Sequence, residues 1–234
     1  MLQVSGITKS YRGKKVVDNA GFTLSPGECL GVAGHNGSGK STLMSIVAQV
    51  QSPDAGTIAC DEVNVLGDRH FLRTQMGYVP QKNSLLPDLT VLETLRFWQR
   101  TYGLNHLDLF SPDSPCSMLG LEALAKKRVG ALSGGMQKRL STALALLHAP
   151  RYLLMDEVLP ALDRHYREAL YAWLAHARQG GCSIFYCSHE VRELVEFCDT
   201  VLLLREGKTV FYGPSSQFPQ EPAVLDEIMN PEER

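Results

Sequence analysis

Apolar and polar positions along the 234 residues fall into short runs whose period changes from one segment to the next. Leu2, Val4 and Ile7, then Val16-Val17, then Phe22-Thr23-Leu24, are separated by Gly13, Gly21 and Pro26-Gly27, and predict an opening region of β structure. Cys29 to Ala33 is a continuous apolar run, a buried strand, and Leu43, Ile46, Val47 and Val50 follow it with helical spacing. Ser52-Pro53-Asp54-Ala55-Gly56 marks a turn, Thr57 to Cys60 a strand, and Met76 to Gln81 another strand that ends at Pro80. A helical stretch comes next: Val91, Leu92, Leu95 and Trp98 share one face, and Leu119, Leu121, Leu124 and Ala125 suggest another. Between them Asn105 to Cys116, with Pro112 and Pro115, reads as a loop, and Lys126-Lys127-Arg128 as a solvated helix end.

The second half alternates more regularly. Leu140, Leu144 and Leu147 form a helix face, and Tyr152 to Met155 a strand apolar on both sides. Leu162, Tyr166, Leu170 and Leu174 predict a helix over 163–179. Ser183 to Cys187 is again strand-like. Val201–Leu204 and Thr209–Tyr212, joined by Glu206-Gly207-Lys208, read as a hairpin, and a last helix is expected around Val224 to Met229. Strands alternating with helices in this way predict an α/β fold with a parallel sheet.

Candidate chemistry sits at the ends of these runs. Gly34-His35-Asn36-Gly37-Ser38-Gly39-Lys40-Ser41-Thr42, placed between a strand and a helix, fits the G-x-x-x-x-G-K-[ST] phosphate-binding loop. The glycines let successive backbone N–H groups turn inward, Lys40 can reach the β- and γ-phosphates, and the Ser41 hydroxyl can ligate Mg²⁺. The motif in that context implies a bound nucleoside triphosphate. Asp156 and Glu157 close the buried strand, where Asp156 suits Mg²⁺ and Glu157 could polarise a water; two solvated turn acids are the plainer reading. Ser133-Gly134-Gly135 before a helix is either an N-cap with a flexible lead-in or a second anion site. His189, after a strand, caps the next helix or contacts a γ-phosphate. Gln81 lies at a strand end, and Tyr11 is either an ordinary half-exposed aromatic or a platform for a purine; the residues alone leave both open.

Composition narrows the class. The chain is 44% apolar and 21% charged with a net charge of −2, which does not suit a free nucleic-acid binder. No apolar run approaches the roughly 18–20 residues of a membrane helix, and Met1-Leu2-Gln3-Val4 lacks the features of a signal peptide. The expectation is a soluble, cytoplasmic protein. Six scattered cysteines (29, 60, 116, 182, 187 and 198) lack paired metal-ligand spacing and read as reduced core residues.

The motifs, in this order, resemble those of the ATP-binding subunits of ABC transporters, over about Leu2 to Tyr212. GHNGSGKST matches Walker A, VPQ places Gln81 in the glutamine loop, and LSGGMQ is similar to the family signature. YLLMDE matches Walker B with its following glutamate, Leu162-Asp163 ends the D-loop, and His189 is the switch histidine. The resemblance implies a P-loop NTPase core with a mostly parallel sheet, an N-terminal antiparallel β subdomain and a helical signature subdomain. All would lie in one ABC ATPase domain spanning 1–234: about 1–85 and 150–215 as core, about 86–149 as signature subdomain, and 216–234 as tail.

It further implies ATP and Mg²⁺ as cofactors. Tyr11 would stack on adenine, and Gly34, Asn36, Gly37, Ser38, Gly39, Lys40, Ser41 and Thr42 would hold the phosphates. Ser133, Gly134, Gly135 and Gln137 would serve the nucleotide of a second ABC ATPase subunit in a head-to-tail homodimer. Ser41, Gln81 and Asp156 would hold Mg²⁺, while Glu157, His189, Lys40 and Gln81 would carry hydrolysis. An integral membrane permease would be the other partner, with the subunit peripheral on the inner face of the cell membrane and no nucleic acid involved. The stretch from Met76 to Leu104 looks most like the exporter branch.

Two segments depart from the family pattern: Val158-Leu159-Pro160-Ala161, where Pro-Thr-Ser-Gly is usual, and Asn105–Cys116, where a helix usually continues. The alternatives are a soluble ABC ATPase acting on ribosomes or DNA, and a regulatory subunit that binds ATP without turning it over.

Overall fold

A computed structural model describes residues 1–219. The helix expected around Val224 to Met229 lies outside the described residues. In chain order the elements are β1 (Leu2–Tyr11), β2 (Lys14–Leu24), β3 (Cys29–Ala33), α1 (Lys40–Val47), β4 (Ala55–Cys60), β5 (Val63–Asn64), α2 (Arg69–Gln75), β6 (Met76–Val79), α3 (Val91–Thr101), α4 (Pro115–Met118), α5 (Gly134–Leu146), β7 (Tyr152–Asp156), α6 (Arg164–Gln179), β8 (Ser183–Cys187), α7 (Val191–Phe197), β9 (Thr200–Arg205) and β10 (Lys208–Pro214). The described residues group into two compact units, one of residues 1–68 with 183–219, the other of Arg69–Cys182.

The first unit holds an antiparallel sheet in the order β2-β1-β4-β5. Its buried positions in β1 run Leu2, Val4, Ile7, a step of two and then three, because Gly6 at φ 64 bulges the strand and shifts its register against β2. Gly21, expected to separate two runs, instead lies inside β2. A Cβ there would sit 3.0 Å from the Val4 carbonyl oxygen, so close strand approach, not a turn, calls for glycine. The same unit pairs β3 with β8 and with β9, both parallel, and β9 with β10 antiparallel. β3 and β8 are buried at every residue, as their unbroken apolar runs predict.

The β9–β10 connection is a two-residue turn, Glu206 at φ 50 and Gly207 at φ 79, the paired left-handed geometry that suits strand twist. Its tip clasps two other segments. Gly207 N donates to the Ser38 carbonyl at 3.0 Å, and Asp18 N donates to the Gly207 carbonyl at 2.8 Å. Helix α1 stops at Val47 because Gln49 turns left-handed (φ 54), so Val50, expected on its apolar face, is exposed.

In the second unit β6 and β7 pair in parallel, and Gly77 lets β6 press against the Ala145 carbonyl of α5, where a Cβ would collide. Val91, Leu95, Leu119, Leu121, Leu124, Leu140 and Leu144 build a common core. Each such side chain contributes about 1.5–3 kcal/mol on burial. Thr90 and Glu93 form a capping box on α3, while Ser133 and Asp163 cap α5 and α6; each cap is worth about 1 kcal/mol. Arg139 donates to the Leu119 carbonyl at 3.2 Å and lies 4.0 Å over the Tyr166 ring.

Here the sequence pattern and the fold part in several places. Leu119, Leu121 and Leu124 are core residues, yet they lie in irregular chain with one 3-10 turn at Glu122–Leu124, not in a helix. Gly120 at φ 62, packed under Tyr166, bends the backbone out of any helical path. Lys126-Lys127-Arg128 is exposed but ends no helix; Arg128 instead makes an isolated bridge with Thr90. The loop expected over Asn105–Cys116 is present only to Ser114, which caps α4 at Pro115, and Leu109 of the loop and Cys116 of α4 both enter the core. β5 and α2 were not foreseen, since neither carries an apolar stripe: Phe71 is the only buried residue of α2, and β5 has none.

Gly207→Ala places a Cβ 2.6 Å from the Val16 carbonyl oxygen in a left-handed backbone. The expected cost is at least about 2 kcal/mol, measured as a lowered urea midpoint with unchanged m-value.

Candidate functional site

The first unit builds the phosphate loop. β3 ends at Ala33, and the chain then runs through three left-handed glycines, Gly34 (φ 147), Gly37 (φ 82) and Gly39 (φ 106), before α1 opens at Lys40. A Cβ at Gly34 would strike the Leu204 carbonyl and one at Gly39 the Val16 carbonyl, whereas Gly37 faces open space. Two glycines thus allow the loop to seat against β9 and β2, and the third leaves room for whatever the loop receives. Asn36 and Gly37 are exposed at its rim; Ser38, Gly39 and Lys40 are buried.

Gly39 caps α1 without a side-chain acceptor, so the first N–H groups of the helix remain available to an anion. Lys40 Nζ donates to the carbonyls of Gly34 at 2.6 Å and His35 at 3.0 Å, which holds the ammonium over the loop. Ser41 and Thr42 lie in the first turn of α1, with Ser41 exposed. This arrangement fits a chain of phosphates: inward N–H groups, one ammonium and a hydroxyl.

Two more predicted residues belong to this unit. Tyr11 ends β1, 45% exposed as a residue, with its hydroxyl bonded to Gln51 Oε1. Lys9 Nζ lies 5.9 Å from the ring centroid. His189 is exposed one residue past Ser188, just beyond the end of β8. Glu193, which sequence reasoning missed, fixes this corner. Its Oε2 accepts from Tyr186 at 2.6 Å and from Ser188 at 2.7 Å, and Ser188 Oγ accepts from Glu190 N at 3.1 Å.

The second unit carries the carboxylates. Asp156 ends β7 and is buried, and the next residue, Glu157, turns left-handed at φ 50. Gln81 Nε2 donates to Glu157 Oε2 at 2.7 Å, so these two residues, 76 apart in sequence, meet. Lys138, also missed from sequence, lies beneath them. Its Nζ donates to the Pro80 carbonyl at 2.7 Å and to the Gln81 carbonyl at 2.8 Å. Burial draws the Lys138 pKa below the usual lysine value, and the Asp156 and Glu157 carboxylates pull it back up. The signal available in the sequence was a lysine beside the buried face of α5, too weak by itself to single out.

The signature segment forms the start of α5. Ser133 Oγ accepts from Met136 N at 3.3 Å, the N-cap geometry. Gly134 has open space where a Cβ would point, and Gly135 would place one 3.2 Å from the Ala161 carbonyl. Gln137 turns inward, its Nε2 donating to the carbonyls of Val129 at 3.4 Å and Leu132 at 3.3 Å. The atypical segment is a short 3-10 turn, Leu159–Ala161, anchored by buried Val158 and Leu159. The donors assigned to Mg²⁺, a hydroxyl (Ser41), a carboxamide oxygen (Gln81) and a carboxylate (Asp156), are hard oxygen ligands of the kind that ion prefers. The six cysteines are buried, and Cys29 Sγ lies 3.3 Å from Cys198 Sγ. Among the described residues no helix is long and apolar enough to cross a membrane.

A phosphate loop between a buried strand and a helix, in an α/β fold with a mixed sheet, an antiparallel N-terminal sheet and a helical region, defines a P-loop NTPase. The family model described as ABC transporter matches residues 17–159. The Nod factor export ATP-binding protein I of Rhizobium etli is 35% identical over 213 residues, 91% of this chain and 67% of that protein. The linearmycin resistance ATP-binding protein LnrL of Bacillus subtilis is 32% identical over 214 residues, 91% of this chain and 69% of that protein. This chain therefore spans about two thirds of the length of those relatives.

Two solved structures share the fold at 24% identity. An ATP-binding subunit of an ABC transporter gives a TM-score of 0.84 over 92% of this chain and 90% of that one. The dimeric structure of MJ0796, a bacterial ABC transporter cassette, gives 0.79 over 93% and 100%. The chain belongs to the ABC transporter family, among its ATP-binding subunits.

Lys40→Met removes the ammonium that bonds the Gly34 and His35 carbonyls. ATP affinity should fall at least about tenfold in a fluorescent-nucleotide titration, with the far-UV spectrum unchanged.

Proposed function

We propose that this chain hydrolyses ATP to drive export through a separate membrane permease. The observation that carries hydrolysis is the 2.7 Å hydrogen bond from Gln81 to Glu157, which presents a carboxylate at the carboxyl end of a buried strand. ATP binds the Gly34–Thr42 loop, its adenine on Tyr11, and Mg²⁺ is held by Ser41, Gln81 and Asp156, which neutralise developing phosphate charge. Glu157 orients or deprotonates the attacking water, and His189 contacts the γ-phosphate. Positioning and charge supply most of the rate in phosphoryl transfer, so each of these groups should matter.

A second copy of the chain completes the site. Gly134 leaves open space in front of it and the start of α5 offers backbone N–H groups, which suits Ser133, Gly134 and Gly135 to the γ-phosphate of the nucleotide held by the other copy. That a known cassette of this fold is dimeric supports the pairing. Gln137 is then a brace for the loop at Val129 and Leu132 more than a nucleotide contact. Export rests on the names of relatives: one serves Nod factor export, the other linearmycin resistance.

A second reading, an ATP-bound switch without turnover, draws on the atypical Val158–Ala161 turn, which abuts Gly135. Phosphate release decides between them. Glu157→Gln keeps the size of the side chain and removes its charge, so turnover should fall by about 10²–10⁴ while ATP still binds. Turnover equal to wild type would remove Glu157 from the mechanism, and no release from the wild-type complex would favour the switch.

A further inference from the structure

The ammonium of Lys138 joins the signature helix to the Gln81 segment. It is almost fully buried, 3% exposed, and gives two short bonds to consecutive carbonyls, Pro80 and Gln81. Those carbonyls end the chain leaving β6, and the side chain of Gln81 then bonds Glu157. Gly77 brings β6 against the Ala145 carbonyl farther along the same helix, so α5 grips this strand near both ends. A buried lysine is costly unless its charge is answered. Here two carbonyl oxygens answer it directly, and Asp156 and Glu157 lie close enough to act on it through space.

We propose that Lys138 is a positioning residue for hydrolysis: by fixing the Pro80 and Gln81 carbonyls it holds the Gln81 carboxamide where it meets Glu157. Without the ammonium, those carbonyls lose their charged donor and the segment after β6 pivots on Val79, so Gln81 spends less time against Glu157. The phosphate loop belongs to other residues and Gln81 is one of three Mg²⁺ donors, so nucleotide affinity changes little in this scheme. The loss therefore falls on turnover and not on affinity.

The proposal rests on the reading of Gln81 and Glu157 as hydrolytic groups, and two measurements on the full chain separate the two ideas. In phosphate release, Lys138→Met should lower kcat about tenfold with KM for ATP within about twofold, and Lys138→Arg should restore most of it. Lys138→Met added to Gln81→Ala should cost nothing further, since both act through one side chain. In hydrogen exchange without nucleotide, the amides of β6 that pair with β7, next to the clamped carbonyls, should exchange about tenfold faster in Lys138→Met and return to wild type in Lys138→Arg. Should Lys138→Met not fold, Lys138→Gln, which keeps one donor, is read in its place. Unchanged kcat, losses that multiply in the double variant, or unchanged exchange would each overturn the proposal. A wild-type chain that releases no phosphate overturns the hydrolytic reading alone, and the exchange result then decides this one.

Discussion

The constraint on which this molecule depends is the backbone path between β3 and α1. Three glycines turn left-handed within six residues, and two of them do so under carbonyls that would exclude any side chain. A path of that kind is stable only if its surroundings hold it. Lys40 bonds the Gly34 and His35 carbonyls from within, and Gly207, at the tip of the β9–β10 hairpin, bonds the Ser38 carbonyl from outside. The same hairpin tip reaches Asp18 in β2, so the antiparallel sheet is registered against the loop through one residue, Gly207. The first unit is a frame for a strained turn.

The second unit is organised around α5 in a comparable way. Its first residues carry the Ser133 cap and the bare glycines, Lys138 holds the chain after β6, and Arg139 reaches the Leu119 carbonyl and the Tyr166 ring. One helix thus serves an exposed end, a buried clamp and the core. Its last turns are buried nearly all round, which leaves the helix little freedom to shift relative to that core.

Most of this architecture was legible because its signals are local. Unbroken apolar runs marked β3, β7 and β8, Ser133 marked a helix start by its capping chemistry, and the Leu162–Leu174 face marked α6. The phosphate loop was legible because its glycines and lysine are required by geometry that no other residues supply. What failed to show depends on distant partners. Gly21 looks like a break and serves a close strand contact; Leu119 to Leu124 look helical and are bent by Gly120 beneath Tyr166. Lys138 and Glu193 belong to no sequence motif, and only the fold shows that one holds two carbonyls and the other ties two hydroxyls. The resemblance to a family supplied roles for Gln81 and Glu157; their contact across 76 residues is a fact of the fold.

The central claim is that ATP hydrolysis here belongs to a pair of chains, each offering a phosphate loop to its own nucleotide and a bare helix start to the other. Sedimentation velocity of the Glu157→Gln chain, with and without saturating Mg²⁺ and ATP, tests it most directly. The account predicts a two-chain species carrying two nucleotides, which returns to single chains when ATP is removed. A chain saturated with ATP that sediments singly at every concentration would contradict it.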